Sequence, residues 1–331
     1  MEPRFYGHNP QGVIDALRAR AEGITSQQDG RKIALIFEGG GMRGVCSAGG
    51  TVALDHLGLT NLFDHAYATS AGVTNVSYFL SGQGPLGLSV YYTDLVKKEA
   101  LNPKRFWKML DIDHVVDRIV AVEKPLHVDR VLASPTRFFA AMMDAKTAEP
   151  ILIDTSETKA PFLDVIKAAI SIPVLYNRTT EIEGRHCMDG GLVNPFPIEQ
   201  ALANGCTDIL ILLSREANYI APDPGWTKRT LFNLIAARGA PNVKEAYKIH
   251  GAVSRRLREY VFGGEPIANA GGANVATFGI DEEETIHRTT ADPVLLRAGA
   301  TRYGRNVLRA FGASQEEAEI WEPPPLDYVE S

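Results

Sequence analysis

Apolar residues in this chain fall into short runs separated by longer stretches in which they recur at helical spacing. Strand-like runs stand near residues 33–37, 65–68, 137–143, 150–153, 208–213 and 274–280. Such runs alternating with helical stretches predict an α/β fold. The first run, Ile33-Ala34-Leu35-Ile36-Phe37, is apolar throughout, which marks a strand of the buried type. Glycines follow it directly, and a helix is expected from near Met42. That helix carries Val45, Cys46, Ala48, Val52, Ala53 and Leu57, mostly small residues that let a helix lie close against a sheet. A second helix, with Val73, Val76, Phe79 and Leu80, follows the second run. Leu86 to Arg130 reads as mostly helical, with Trp107, Met109 and Leu110 fitting either an acyl-chain entrance or ordinary core packing. Ile198 to Asn204 reads as a short helix, and Asn269 to Ala273 as a loop before the last strand. The tail after Trp321, with Pro323-Pro324-Pro325, is expected to be extended or mobile. No internal repeat is visible.

Composition narrows the class. With 331 residues, 45% of them hydrophobic, the chain can bury a large core, and length alone permits one or two domains. No apolar run approaches the roughly twenty residues that span a bilayer, and the N-terminus lacks a signal peptide's hydrophobic region. Cys46, Cys187 and Cys206 are odd in number and scattered, without metal spacing. They predict a reducing, cytoplasmic setting with no disulfide framework. The net charge of -6 argues against nucleic acid as a partner. Charge is uneven, however. Lys228, Arg229, Arg238, Lys244, Lys248, Arg255, Arg256 and Arg258 face only Glu245 and Glu259, with Leu231, Leu234, Ile235, Tyr247, Val253 and Leu257 interleaved. Such a stretch either contacts an anionic lipid surface peripherally or forms a solvated helix face, and the second is expected.

The candidate chemistry begins at Gly39-Gly40-Gly41-Met42-Arg43-Gly44. Backbone N–H groups at a strand-to-helix junction are unpaired and point at whatever anion sits there. The loop satisfies the dinucleotide pattern G-x-G-x-x-G, which also wants an acid roughly twenty residues on, at the end of a second strand. Asp64 lies near that distance but precedes the strand-like run His65-Ala66-Tyr67-Ala68. The same loop suits an oxyanion hole ahead of a nucleophile. Ala68-Thr69-Ser70-Ala71-Gly72 is nearly a nucleophile elbow, with small residues two before and two after the serine because strand and helix pass closely there. It also suits a plain helix N-cap. Asp189-Gly190-Gly191 reads as a turn or as an aimed carboxylate. Eight histidines are available for a triad; His186 is the one near a motif, and His65 precedes the elbow strand.

Together the three segments resemble the patatin-like phospholipases, which carry a Gly-Gly-Gly-x-Arg-Gly loop, a Gly-x-Ser-x-Gly elbow and an Asp-Gly-Gly or Asp-Gly-Ala motif in this order. The likeness covers roughly residues 30 to 215 and includes Ala168-Ala169-Ile170-Ser171-Ile172-Pro173, similar to the segment the family places ahead of its aspartate. Ala68 replaces the family's first elbow glycine. The resemblance implies a three-layer α/β/α fold with a mostly parallel central sheet. It implies Ser70 as nucleophile and Asp189 as base, a dyad without histidine or any metal or organic cofactor. The oxyanion hole would be built by Gly40 and Gly41, helped by Met42 and Arg43. It further implies a serine hydrolase of lipid esters, with a lipid as its partner. A lipid-binding or regulatory patatin-like protein and a dinucleotide-dependent oxidoreductase are the alternatives. The expected organisation is an N-terminal helical extension over 1–29, the catalytic core over 30–215, and a C-terminal helical segment with a last strand over 216–331, packed on the same domain.

Overall fold

The computed structural model describes residues 3–102, 104–105, 108–173, 176, 178–217, 219, 242–262, 272–280, 286–326 and 328. Trp107, Asn269 to Gly271, and the part of the basic stretch before residue 242 lie outside the described residues.

The all-apolar run forms β1 (Ile33–Phe37) at the centre of the sheet. β2 (His65–Thr69) and β7 (Asp208–Glu216) flank it in parallel, with β3 (Arg137–Asp144) outside β2 and β8 (Asn274–Ile280) outside β7. Three antiparallel strands complete the eight-stranded sheet: β4 (Pro150–Asp154), β5 (Thr180–Ile182) and β6 (Arg185–Asp189). The β5–β6 hairpin is absent from the expected strands. Its segments, Thr-Glu-Ile and Arg-His-Cys-Met-Asp, are short and mostly polar, so no apolar run marks them.

The helices are α1 (Pro10–Ala21), α2 (Gly44–His56), α3 (Ala71–Leu80), α4 (Gly84–Thr93), α5 (Val128–Leu132), α6 (Phe162–Ile170), α7 (Ile198–Ala203), α8 (Val243–Phe262), α9 (Pro293–Ala310) and α10 (Gln315–Ile320), with a π-type helix over His114–Glu123. Alternation along β1 sorts them into layers. Leu35 and Phe37 belong to the larger core, with Val45 and Ala53 of α2, Val73 and Val76 of α3, Val165 of α6 and Leu296 of α9. Ala34 and Ile36 join Ile198 and Ala201 of α7 and Leu257 and Tyr260 of α8 on the opposite face. The outcome is a three-layer α/β/α fold around a mostly parallel sheet. A strand buried on both faces can be apolar at every position, and each Leu or Ile so enclosed contributes about 2 kcal/mol.

The small residues of α2 serve a second contact besides the expected one. A Cβ at Gly49 would stand 2.8 Å from the Ala300 Cα, so the close approach is to α9 as well as to the sheet. Met109 and Leu110 pack against the main core. The tail is extended beyond Trp321 but held: Arg297 donates to the Pro323 and Pro324 carbonyls at 2.9 and 3.0 Å, and Tyr92 donates to Pro324 at 2.7 Å. In α8, Lys244, Lys248, Arg255 and Arg256 are exposed as a solvated face requires, whereas Arg258 turns inward and is buried.

Strand register decides where the chemistry meets. β2 runs beside β3 with Thr69 opposite Ala141, while β4 pairs with residues 139–143 of β3. A strand has two edges, so β2 and β4 occupy opposite ones. β6 also pairs with Met142 and Met143, which β4 already covers from its side, so β6 shares the β2 edge. Asp189 sits opposite Met142, one step beyond the partner of Thr69. β2 and β6 therefore abut end to end, with Ser70 at one tip and Asp189 at the other.

Candidate active site

Ser70 joins β2 to α3 with φ 57° and ψ -135°, a conformation that costs a non-glycine residue of order 1–3 kcal/mol. Surrounding contacts hold it there. A Cβ at Gly72 would lie 2.7 Å from the Phe37 Cβ, so helix and strand pass too closely for a larger residue. Ala68 is fully buried and faces Phe37 and Ala140 across the sheet; its extra methyl is accommodated beside another alanine. Thr69 donates to the Asn194 carbonyl at 2.8 Å, tying the elbow to the segment after Asp189. Asn75 of α3 donates to the Gly44 carbonyl at 2.9 Å and accepts from the Tyr91 hydroxyl at 2.9 Å. That brace links the elbow helix to the glycine loop.

The Ser70 side chain lies close enough to the Asp189 carboxylate to favour its ionised form, and both residues are about 95% buried. Asp189 also accepts from the Gly191 N–H at 2.7 Å, the function of the turn Gly190–Leu192. Its own N–H donates to the Ser171 carbonyl at 3.1 Å, which gives the Ala168 to Pro173 segment a concrete role. Burial pushes the Asp189 carboxyl up to about 6, with Ser70, Gly191 and Arg288 pulling the other way. No histidine is hydrogen-bonded to either side chain. His65 stands at the far end of β2, 2.8 Å from the Tyr67 hydroxyl, and His186 lies 3.3 Å from the Thr179 hydroxyl.

The glycine loop lies against the elbow because it lacks side chains. A Cβ at Gly39 would come within 2.6 Å of the Ser70 Cβ. Gly41 has φ +59°, in the left-handed region that favours glycine. Ser214 fixes the loop from β7 by donating to the Gly39 carbonyl at 2.8 Å. The donors divide clearly. Gly39 N–H points to Pro195 O at 3.3 Å, Met42 N–H to Arg288 O at 3.2 Å and Arg43 N–H to Gly40 O at 3.3 Å. Among the described residues the Gly40 and Gly41 N–H groups have no acceptor. Their amides are open, and those of Met42 and Arg43 are not.

Several neighbours carry no sequence signal that singled them out. Glu38, directly between β1 and the glycines, is 2% exposed, bonded to Arg258 at 2.7 Å and to the Ser214 N–H at 2.9 Å. Burial opposes its ionisation, but Arg258, Arg215 and Arg43 together hold its carboxyl below the usual range. His250 Nδ1 is 3.1 Å from the Leu192 carbonyl, and burial with nearby Arg288 and Arg215 keeps it below the ordinary imidazole value. An acid at the very tip of an apolar strand was the available clue to Glu38. Asp64, the candidate ribose acid, sits at the opposite end of the sheet, where it receives the Ile33 N–H at 2.7 Å and Arg20 at 2.9 Å. Among the described residues no cluster of metal-ligating side chains occurs, and no helix is long and apolar enough to cross a membrane.

Comparison with known proteins agrees with the order of these segments. A family model described as patatin-like phospholipase matches residues 35–202. The uncharacterised protein YjjU of Escherichia coli K12 is 32% identical over 212 residues, which cover 61% of this chain and 57% of that protein. The chain thus matches little more than half the length of that relative. Among solved structures, VipD from Legionella pneumophila has a TM-score of 0.45 at 14% identity, over 85% of this chain and 66% of that one. Full-length ExoU with SpcU from Pseudomonas aeruginosa has a TM-score of 0.31 at 13% identity, over 69% and 53%.

Proposed function

The chain belongs to the patatin-like phospholipase family, and from that premise we propose that it is a serine lipid acyl hydrolase working through Ser70 and Asp189. The observation that carries this reading is the approach of the strained elbow serine to a buried aspartate whose ionisation it favours. In the proposed reaction the Ser70 Oγ attacks the ester carbonyl carbon while its proton passes to Asp189. A serine hydroxyl needs such a base to become a competent nucleophile. Negative charge moves to the former carbonyl oxygen, where the Gly40 and Gly41 N–H groups receive it, each worth about 3 kcal/mol in the barrier. Collapse of the tetrahedral intermediate expels the alcohol, which takes the proton from Asp189 and leaves the acyl group on Ser70. Asp189 then accepts a proton from water as it attacks the acyl-enzyme. The second collapse releases the fatty acid and returns the proton to Ser70. An aspartate raised to about 6 is still ionised at pH 7.5 and is a stronger base than an exposed one.

Labelling with a fluorophosphonate tests the reading directly. Wild type is expected to react and Ser70→Ala not to react, with fatty acid release from a total lipid extract lost in the same variant. Equal labelling of Ser70→Ala would place the nucleophile elsewhere and overturn the assignment.

A further inference from the structure

Helix α8 is anchored to both halves of the candidate site. Val243 and Ala246, in its first turns, pack with Met143, Ala145 and Met188 near the ends of β3 and β6. Leu257 and Tyr260, further along, belong to the core on the α7 face of the sheet. Arg258 donates to Glu38 at 2.7 Å and to the Glu216 and Ala217 carbonyls at 3.0 and 3.2 Å. Glu38 precedes Gly39, so this part of the helix is tied to the glycine loop. His250, Ser254 and Arg258 recur every four residues, which puts them on one side of the helix, the first and last about 12 Å apart along its axis. The helix is thus fixed by contacts other than His250, and His250 is a donor whose position does not depend on the turn it meets.

That turn, Gly190–Leu192, holds the candidate base through the Gly191 N–H, which donates to Asp189 at 2.7 Å. The Gly190 carbonyl accepts the Val193 and Asn194 N–H groups at 3.0 and 2.8 Å, and Thr69 fastens the Asn194 carbonyl at 2.8 Å. The Leu192 carbonyl stands at the C-terminal end of a single 3₁₀ turn, where carbonyls lack a helical partner, and among the described residues no backbone N–H reaches it. His250 supplies the donor. A carbonyl only accepts, so Nδ1 carries the proton of the 3.1 Å bond. The ring is half-buried. Burial, joined by Arg288 and Arg215 and opposed by the Leu192 carbonyl and Glu38, holds it below the ordinary imidazole value. At neutral pH it is therefore an uncharged donor.

We propose that His250 is a positioning residue for the Ser70 and Asp189 pair: its Nδ1–H pins the Leu192 carbonyl, which holds the Gly191 N–H on the Asp189 carboxylate and keeps that carboxylate beside Ser70. Helix α8 thereby sets the aspartate turn and the glycine loop at a fixed separation, with His250 holding one and Arg258 the other. His250 acts through the turn and moves no proton in the reaction. As a contribution to catalysis this rests on the hydrolase reading; as a brace on the turn it does not.

Three substitutions separate the donor from the ring. The amide of His250→Asn places an N–H where Nδ1 stands, that of His250→Gln places one where Nε2 stands, and His250→Ala has none. In an esterase assay kcat is expected to fall about tenfold in the Ala and Gln variants, with KM changed less than about twofold, and to recover in the Asn variant. The apparent pKa near 6 in kcat/KM is expected to move up in the Ala and Gln variants, because the Gly191 N–H no longer favours the ionised carboxyl, and to return in the Asn variant. Asparagine does not titrate, so a restored profile assigns the effect to the donor and not to a charge on the ring facing Arg288, Arg215 and Glu38. Carbon-13 NMR titration of the Asp189 carboxyl, with each variant added to Ser70→Ala, reads the same shift without turnover. That shift in a protein whose wild type hydrolyses no ester removes the hydrolase reading and leaves the brace standing. If His250→Ala does not fold, the other two variants decide: recovery in Asn over Gln supports the proposal, and parity or the reverse order overturns it. An Asp189 titration unchanged in His250→Ala overturns it as well.

Discussion

The two ends of the parallel strands bury charge in opposite ways. At the N-terminal end, Arg20 is 4% exposed and uses all five of its donors: on Asp29 twice, on Asp64, and on the Leu62 and Arg31 carbonyls. At the C-terminal end, Arg43 is nearly as buried and leaves two nitrogens unmet. Beside it stand a serine at φ 57° and an aspartate pushed up to about 6. Buried polar groups are normally satisfied, so exceptions gathered in one place mark groups held for something that arrives later. The first end contributes to holding the fold, and the second, on the proposed reading, holds groups ready for a ligand.

The sharpest way to break this contrast is Asp189→Asn. Activity is expected to fall by roughly 10⁴-fold in an esterase assay, as loss of the base requires. The same variant is expected to be more stable than wild type at pH 8 in thermal or denaturant unfolding. Two pKa units of raised acidity at about 1.4 kcal/mol each set an upper figure of about 3 kcal/mol. A variant that loses both activity and stability would mean that the aspartate belongs with the structural end. Arg20→Ala is expected to show the reverse, losing about 3 kcal/mol in denaturant unfolding while the folded protein keeps its specific activity. A loss of activity per folded molecule would erase the division between the ends.

pH sharpens the comparison further. The folded Asp189 carboxyl sits above its unfolded value of 3.8, so the folded state binds this proton more tightly. That contribution to stability is complete below about pH 4 and is lost as pH rises through about 6. kcat/KM is expected to move oppositely, rising through an apparent pKa near 6 as the base becomes available. A flat profile between pH 5 and 7 would argue against Asp189 as the base. The smallest effect belongs to His186→Ala, expected to change turnover by less than about twofold. Its ring contact is Thr179, and a loss as complete as that of Asp189→Asn would restore a histidine-dependent mechanism.

Much of the frame was legible because its signals are local. A strand enclosed by two layers shows itself as Ile33 to Phe37, and the elbow shows itself as small residues around Ser70. The β5–β6 hairpin was not legible, since Thr180–Ile182 and Arg185–Asp189 are short and polar. Arg258 was grouped with a solvated basic face because helix periodicity assigns a side chain to a face without saying which buried acid awaits it. The small residues of α2 predicted a close neighbour, but not that Ala300 would be part of it. The set of candidate oxyanion donors was narrowed in the same manner. Nothing in Met42 or Arg43 shows that their amides are taken by Arg288 and Gly40.

By itself the sequence determined which residues are equipped for chemistry: a glycine loop after a buried strand, a serine between small residues, and an acid before two glycines. Those are properties of neighbours in the chain, where steric limits act over a few residues. Tertiary structure decided which of them meet. Ser70 and Asp189 come together because β6 enters antiparallel on the edge of β3 that β2 leaves, a register set by pairing between distant strands. Tertiary structure also decided which amides stay open and which Arg43 nitrogens go without a partner, since hydrogen bonds and burial depend on what folds against a group rather than on what adjoins it.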